Sequence, residues 1–466
     1  MDLFPPREKR DMPEAPQWTK AIGVGIVVTG LAMGTGELIM WPHLVTKYGI
    51  HLLWLALLGI LAQYFINQEV ARYTISTGES FFTASARILK WSPVFWFFSA
   101  ILLYVWPGWA SALGTILKEL FGFGTYLGWA WGALALVLVF TFLGRRAYVF
   151  LERTLKVIVP AFFLMLVAIT IFNVSGEAWM QVLRGFAHFG SISSEIDINV
   201  LLGAIVFAGA GGMLNLCVSL WYRDKQVGMG KYVGRIENPI TGKQEAVAAT
   251  GFSFDITKEN LSRWKKWMHF MYIDQGVIFL LLGFITLVLL SVNAYAVLAP
   301  LGIVPEGLDV AVVQAHIFGS TLGRPGFVLF LVMAFLILFS VMWTVIDALT
   351  RMLSDIIYTD TRAGGLRRLF SWAEGISMGK LYYGIIVLVV IAGAILIPLN
   401  QPLPLLVISA VLGGLTMAIY TPFLIYINNT KLPKELRPSW FTNTTMTLTS
   451  LFFIFFAIRV IQEKFF

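Results

Sequence analysis

Two glycine-rich stretches decide the fold of this chain: GLAMGTGELIMWP at residues 30–42 and AGAGGMLN at residues 208–215. Each lies near the middle of an apolar segment long enough to form a helix. Glycine costs about 1 kcal/mol relative to alanine inside a helix. Such a cluster at the centre of a hydrophobic segment therefore predicts an unwound turn. We expect two interrupted helices, the first of which carries an acid, Glu37, at its break.

The apolar segments around these stretches predict an all-α integral membrane protein. Only 13% of the 466 residues are charged, against about 25% in soluble domains. Charge-free runs and two further apolar segments give eleven predicted spans of about 20 residues each. The breaks fall in helix 1 (21–45) and helix 6 (198–222), five helices apart. We therefore expect two five-helix repeats, 21–174 and 198–430, followed by an eleventh helix at 439–461.

The distribution of Lys and Arg residues predicts the orientation of the chain in the membrane. With the amino terminus in the cytoplasm, 28 of the 34 Lys and Arg residues fall on the cytoplasmic side, as the positive-inside rule requires. Residues 1–20 then form a cytosolic tail, and residues 223–268 form a cytosolic insertion into the second repeat. Within that insertion, Tyr232–Lys243 predicts a small β-hairpin. Its basic excess fits either a solvated connector or a contact with anionic lipid headgroups.

The net charge and the cysteine, histidine and lysine positions exclude several classes of function. The net charge of +8 is explained by orientation in the cell membrane, so we expect no nucleic-acid partner. The single cysteine, Cys217, excludes an intrachain disulfide, and the five histidines form no ligand pair such as HxxxH. The glycine-rich stretches lack a Walker lysine. We therefore expect a monomeric non-enzyme without a bound cofactor, whose transport is secondary.

Interrupted helices in corresponding positions of two repeats point to a transporter's central site. A carboxylate such as Glu37 at membrane depth marks a substrate or ion path, or carries a proton. The thioether of Met213 suits soft or borderline metals, although a methionine among small apolar residues is also typical of packing. The glycines themselves have an alternative role, because small residues permit close helix contact in membranes.

The chain resembles the Nramp (natural resistance-associated macrophage protein) family of divalent-metal transporters, part of the amino acid–polyamine–organocation superfamily. The resemblance is clearest at Gly34–Glu37, Lys47–Trp54 and Gln63–Gly78, and weaker at Arg145–Arg146 and Leu405–Ser409. It implies a LeuT-type fold with two inverted five-helix repeats plus one extra helix. It also implies metal uptake by alternating access around helices 1 and 6.

The functional motifs of that family are altered. Its helix 1 motif, Asp-Pro-Gly-Asn, matches Gly34–Glu37, so the metal-binding Asp is absent and a carboxylate replaces the Asn. Its helix 6 motif, Ala-Met-Pro-His, matches Gly212–Asn215, which keeps the Met only, and Trp106–Gly114 of helix 3 has no acid. The resemblance thus implies Glu37 and Met213 as metal ligands, within a substrate or ion site that comprises Gly34, Thr35, Glu37, Gly211, Met213 and Asn215.

Helix 8, which begins near residue 325, carries a second acid close to membrane depth. Asp347 and Arg351 are four residues apart and can pair on one helical face. Alternatively, Ser340, Thr344 and Asp347 face helix 1 and form a second ion or proton site.

The leading hypothesis is a secondary transporter, most simply a symporter, of divalent metal cations. One alternative is a relative that has changed its substrate to a hard cation such as Mg²⁺ or to a small organic solute. Another is a non-transporting membrane sensor that uses the insertion at 223–268 for docking.

Overall fold

The computed structural model describes residues 4–17, 23–144, 147–187, 189–190, 192, 195–240, 246–305, 310–363, 370–399 and 402–465. These residues fold into a bundle of helices. A single pair of two-residue parallel strands, β1 (Glu8–Lys9) and β2 (Phe252–Ser253), joins the amino-terminal tail to the loop before helix 7 within the described chain. We call the end of the bundle where this strand pair lies the tail side.

Ten helices in the described residues are long and apolar enough to cross a membrane. They are helix 1 (Val24–Tyr48), helix 2 (Ile50–Thr77), helix 3 (Ser92–Phe121), helix 4 (Tyr126–Leu143), helix 5 (Tyr148–Asn173), helix 7 (Lys258–Leu301), helix 8 (Leu322–Arg362), helix 9 (Met378–Leu396), helix 10 (Val407–Thr430) and helix 11 (Trp440–Gln462). Helix 6 consists of two short pieces, Ile198–Val206 and Leu214–Asp224. The predicted total of eleven spans stays a prediction.

Burial places helix 1 at the centre of the bundle. Its apolar window is completely buried, whereas helices 4, 5 and 9 bury only about a third of theirs. Large apolar side chains on the outer helices are exposed, among them Val157 and Ile171 of helix 5 and Leu388 of helix 9. A bundle whose apolar surface faces outward is the arrangement expected in lipid.

Helix 1 does not unwind at its glycines, so this part of the prediction is wrong. Residues Met33–Met40 form a π-helix, and the N–H of Trp41 donates to the carbonyl of Gly36, five residues earlier. A Cβ on Gly36 would lie 1.6 Å from the Phe207 carbonyl oxygen, and a Cβ on Gly34 would lie 2.3 Å from a Val341 methyl group. The glycines of helix 1 therefore allow close contact with helices 6 and 8, which is the alternative role.

Helix 6 is interrupted as predicted. Its first piece ends at Val206 and its second begins at Leu214. Between them Gly211 and Gly212 have φ angles of +79° and +56°, a conformation that glycine adopts without steric cost. The same residue type thus serves packing in helix 1 and backbone conformation in helix 6.

The predicted cytosolic insertion is more ordered than a solvated connector. Helix 7 already begins at Lys258, and Gly228–Tyr232 forms a 3-10 turn. The predicted hairpin stays a prediction: Glu237 takes part in a β-bridge and residues 239–240 form a turn, whereas residues 241–243 lie outside the described residues. The Tyr232 hydroxyl donates to the Asp11 carbonyl at 2.9 Å, and the strand at 252–253 pairs with the tail.

Candidate functional site

Glu37 lies in the π-helical turns of helix 1 and is fully buried. Its carboxylate points towards helix 7, because a Cβ on Gly283 would lie 3.9 Å from Glu37 Oε1 and 3.2 Å from Ile60 of helix 2. The Thr286 side chain is adjacent, but its hydroxyl donates to the carbonyls of Leu282 and Gly283 at 3.1 and 2.8 Å. Neither carboxylate oxygen has a hydrogen-bond partner within the described structure.

A buried carboxylate without partners is a site that favours a proton or a cation. Leaving an ionised group unpaired in an apolar environment costs far more than any single neutral hydrogen bond supplies. The carboxylate of Glu37 is therefore either protonated or compensated by a bound cation. Its place in a π-helical segment fits this role, because π-turns inside helices are frequent at functional sites.

The interruption of helix 6 is held by side chains from three other helices. Gln63 of helix 2 donates to the Val206 carbonyl and accepts from the N–H of Gly211, each at 2.8 Å. Tyr104 of helix 3 donates to the Gly211 carbonyl at 3.1 Å and accepts from the N–H of Leu214 at 3.0 Å. Tyr420 of helix 10 donates to the Gly212 carbonyl at 2.9 Å. These bonds replace the backbone pairing that the interruption removes.

Asn215 belongs to the same arrangement. Its amide donates to Gln63 Oε1 and to the Tyr420 hydroxyl, each at 3.3 Å. Its own Oδ1 is buried without a hydrogen-bond partner in the described structure. Asn215 therefore offers one unused oxygen, a donor atom that suits hard and borderline cations.

The other predicted site residues lie along the two glycine-rich stretches. Met213 is completely buried directly before the second piece of helix 6. Gly34 packs against Val341 and Leu338 of helix 8, and Gly211 packs against the Phe207 ring. The side chain of Thr35 lies outside the described part of the chain.

The two halves of the predicted site meet through their backbones at Gly36 and Phe207. Their side chains have different neighbours: Glu37 lies beside helices 2 and 7, whereas Asn215 is bonded to helices 2 and 10. Within the described residues, no group of three or more His, Cys, Asp or Glu side chains could hold a metal ion. A metal bound to Glu37 would therefore need neutral donors among its ligands, and the ligand role of Met213 stays a prediction.

Asp347 lies in a buried ionic network and pairs with Arg351, as the simpler interpretation predicts. Its Oδ2 accepts from Arg351 Nε at 2.6 Å and from Trp221 Nε1 at 3.1 Å, and its Oδ1 accepts from the Tyr382 hydroxyl. Arg351 also pairs with Asp224 at the end of helix 6.

The hydroxyls of Ser340 and Thr344 donate to carbonyls one turn earlier in helix 8, those of Ile337 and Ser340. Because every Asp347 oxygen is already bonded, a second ion site at Ser340, Thr344 and Asp347 stays a prediction that draws no support from these contacts.

A second buried glutamate, Glu79, lies on the tail side, outside the spans. It pairs with Arg7 of the tail at 2.7 Å and with Arg87 at 2.6 Å, and it accepts from the Tyr73 hydroxyl at 3.0 Å and from the N–H of Gly251 at 3.2 Å. Burial alone would raise the pKa of Glu79, but the two guanidinium groups outweigh it and lower the pKa to about 2. This carboxylate joins the tail, the loop after helix 2 and the loop before helix 7.

Sequence reasoning did not assign roles to Gln63, Tyr104 and Tyr420. A glutamine in the charge-free run of helix 2 is a weak signal, since polar residues at membrane depth often have a function. The two tyrosines carry no such signal, because tyrosine is also common at membrane interfaces. Helix 3 is itself interrupted, since its pieces are Ser92–Tyr104 and Gly108–Phe121. The Pro107-Gly108 pair is the sequence signal for that break.

Comparison with known proteins identifies solved structures with a similar arrangement of helices. No family model matches the sequence, and no curated protein matches it. Among solved structures, mutants of the manganese transporter of Eremococcus coleocola align with a TM-score of 0.67 at 12% identity, over 98% of this chain and 90% of that one.

Two further solved structures are similar. MhsT in complex with L-phenylalanine aligns with a TM-score of 0.59 at 16% identity, over 98% of this chain and 100% of that one. A transporter of the nucleobase-cation-symport-1 family aligns with a TM-score of 0.51 at 15% identity, over 99% and 97%. At these identities the likeness shows the fold, which confirms the prediction of fold class. The chain is a multi-pass membrane protein with the LeuT-type fold.

Proposed function

We propose that the protein is a secondary transporter that binds a cation at Glu37. The observation that carries this proposal is the complete burial of a carboxylate whose two oxygens have no hydrogen-bond partner in the described structure. It lies where helix 1 contacts the interruption of helix 6, the central position at which transporters of this architecture bind ions and solutes.

Transport would proceed by alternating access. Helix 6 supplies the deformable element, because its two pieces are connected by glycines with positive φ. Helix 1 supplies the charge and remains helical. A cation that pairs with Glu37 removes the energetic penalty of the buried charge, so binding would change the preferred packing of helix 1 against helices 2 and 7.

A divalent metal is the leading candidate for the cation. The likeness to a manganese transporter and the partial match to the Nramp motifs both support it. Membership of the Nramp family is part of the proposal. Glu37 would be the principal ligand, with the thioether of Met213, the Oδ1 of Asn215 and backbone carbonyls as neutral ligands. That mixture of donors suits borderline ions such as Mn²⁺ or Cd²⁺ better than a purely hard ion.

Uptake into proteoliposomes tests the proposal. We expect the wild-type protein to accumulate Mn²⁺ or Cd²⁺, and we expect Glu37→Gln to reduce uptake more than about 100-fold, since even an outer-shell partner of a metal ligand contributes 10- to 100-fold. The matched control is Glu119→Gln, which makes the same change at an exposed acid and should leave uptake unchanged. Equal uptake by Glu37→Gln and wild type would remove Glu37 from the mechanism.

A second candidate is an organic-solute transporter in which Glu37 binds the coupling cation, a proton or a substrate amine. It is favoured because no group of three or more His, Cys, Asp or Glu side chains in the described residues could hold a metal ion. So does the similarity to structures that hold L-phenylalanine and a substituted hydantoin. A solute screen in the same proteoliposomes separates the two candidates, because only this one predicts uptake of a solute that depends on Glu37 while Mn²⁺ and Cd²⁺ are not accumulated.

The proposal also includes the location of the protein, its orientation in the membrane and its oligomeric state. We propose a cell-membrane location with the tail side in the cytoplasm, since 28 of 34 basic residues then lie there. The molecule would act as a monomer and without enzymatic activity. A cysteine placed at position 240, on the loop before helix 7, should react with a membrane-impermeant reagent only after cells are opened. Labelling of this cysteine in intact cells would show that the tail side faces the outside of the cell.

A further inference from the structure

Helix 7 is longer than a membrane is thick. Its 44 residues, Lys258–Leu301, extend over about 65 Å at 1.5 Å per residue, whereas a bilayer with its headgroups is about 40–45 Å thick. Every Lys and Arg of the helix lies between residues 258 and 266, and residues 275–301 carry no charge. The first turns of helix 7 therefore extend beyond the hydrocarbon on the tail side, at the level of the headgroups.

One face of this extension is exposed and basic. Lys265, Lys266 and His269 are exposed, and their spacing of three or four residues places them on one side of the helix. We call these three residues the basic stripe. Tyr272, which is 37% exposed, continues the stripe and is typical of a membrane interface. Lys266 precedes Tyr272 by six residues, about 9 Å along the helix, so its long side chain can reach the headgroups.

The charge of the basic stripe is not compensated by the protein. Its three side chains form no ion pair or hydrogen bond within the described residues. The five acids of the described tail and of residues 252–273 have other partners: Glu8 pairs with Arg10, Asp255 with Lys9, Glu14 and Glu259 with Arg263, and Asp11 accepts from the Asn260 amide. Two lysines beside each other without an acid attract an anion.

A cavity of about 540 Å³ lies between the basic stripe and residues 15–17 of the tail. Its volume falls within the range of roughly 300–1,000 Å³ that small-molecule sites have. Ser262 and the buried Phe270 complete its wall on helix 7. The tail is bonded to the same helix, because Trp267 Nε1 donates to the Pro13 carbonyl at 2.8 Å. The cavity therefore has two fixed walls, one of which is basic.

The surface beside the cavity indicates the source of the anion. Val277 and Leu281, further along helix 7, are 51% and 54% exposed. Exposed apolar side chains on a spanning helix face acyl chains. Basic residues next to such a surface attract anionic lipids, and an ammonium group binds a phosphate through charge-assisted hydrogen bonds. A lipid can satisfy both parts of the helix at once, whereas a soluble anion contacts the basic part alone.

We propose that the basic stripe and residues 15–17 of the tail bind the headgroup of one anionic phospholipid. Lys265 and Lys266 bind the phosphate oxygens, His269 donates a hydrogen bond to them, and the acyl chains lie along the exposed apolar side chains of helix 7. The bound headgroup links the tail to helix 7. The proposal assigns the basic excess of residues 223–268 to lipid contact, and it is independent of which ion or solute the protein transports.

Native mass spectrometry of the purified full-length protein tests the proposal, with phosphatidylglycerol and phosphatidylcholine as probes. We expect the wild type to retain one phosphatidylglycerol in preference to phosphatidylcholine. Lys265→Gln/Lys266→Gln should bind phosphatidylglycerol roughly thirtyfold more weakly, the combined effect of two lysines at a membrane surface. The matched control is Lys431→Gln/Lys434→Gln, which changes two exposed lysines between helices 10 and 11 on the same side and should bind like the wild type. Equal weakening by both double variants would show a diffuse attraction and overturn the proposal.

Two further measurements test the cavity and the source of the phosphate. Ser262→Trp keeps every charge but fills the cavity from an exposed position, so this variant should lose the retained lipid. Inorganic phosphate should neither displace the lipid nor raise the thermal unfolding temperature of the wild type, whereas phosphatidylglycerol should raise it. Binding of phosphatidylglycerol by Ser262→Trp with wild-type affinity would overturn the proposal. Displacement of the lipid by inorganic phosphate would overturn it in favour of a soluble-anion site.

Discussion

Glu37 and Glu79 are both buried, yet their surroundings differ in every respect. Glu79 accepts hydrogen bonds from two arginines, a tyrosine and a backbone N–H. Glu37 has no partner in the described structure. A fully partnered carboxylate holds elements together, and here it attaches the tail to two loops. An unpartnered carboxylate in the middle of the bundle makes no hydrogen bond that stabilises the resting fold, and it is available for a cation or a proton.

The largest stability effect is expected at Glu79. Glu79→Gln would leave the half-buried Arg7 and Arg87 beside a neutral amide. Removing one member of a buried ionic cluster costs about 3–5 kcal/mol, so the thermal unfolding temperature in detergent should fall strongly. Glu435→Gln, at an exposed acid on the same side, is the control and should change little. A Glu79→Gln protein as stable as this control would show that the tail cluster does not hold the fold.

The second-largest effect on stability is expected at Gln63. Gln63→Leu would leave the Val206 carbonyl and the Gly211 N–H without their partners. Each orphaned buried group costs about 1–3 kcal/mol, so the two together should cost roughly 2–6 kcal/mol in thermal or denaturant unfolding. Tyr420→Phe removes one bond to the backbone of helix 6, at the Gly212 carbonyl, and the acceptor of one Asn215 amide bond, and it should cost less than Gln63→Leu. Equal effects of the two variants would mean that water replaces Gln63 in the interruption.

The dependence of stability on pH distinguishes the two glutamates as well. The pKa of Glu79 is lowered from 4.5 to about 2 in the folded protein, so its stabilising contribution is complete above pH 4.5 and is lost as the pH falls towards 2. By pH 3 the wild type should have lost about 2 kcal/mol of it. The difference in unfolding temperature between wild type and Glu79→Gln should therefore shrink from pH 6 to pH 3. A constant difference would contradict the assigned pairing.

The smallest stability effect is expected at Glu37. Glu37→Gln replaces a buried acid without partners by a neutral isostere, so stability without added cation should change by no more than about 1 kcal/mol, with an increase favoured. Thermal unfolding in metal-free buffer measures this change. A loss as large as that of Glu79→Gln would show that Glu37 has a structural partner in the resting state.

Much of the fold could be predicted from residue patterns. Charge-free runs correspond to the observed spans, because few polar groups are tolerated at membrane depth. The glycines at 209–212 predict the interruption of helix 6. The glycines of helix 1 look the same in sequence but serve close packing with Phe207 and Val341. Composition cannot distinguish these roles, because the distinction depends on which helices are neighbours.

Long-range contacts limit what the sequence shows about the site. Glu37 could be identified because an acid in an apolar helix is rare. Gln63, Tyr104 and Tyr420 could not be assigned, since they act on backbone groups more than 100 residues away or, for Tyr420, about 200 away. The pairing of residues 252–253 with residues 8–9 of the tail could not be predicted either. Local turn signals do not include such a distant partner.

Cation binding at Glu37 is the central claim, and isothermal titration calorimetry tests it most directly. Mn²⁺ or Cd²⁺ titrated into wild-type protein and into Glu37→Gln should give a saturable heat with the wild type and none with the variant, while Glu119→Gln binds like the wild type. Equal binding by the wild type and Glu37→Gln would contradict the account.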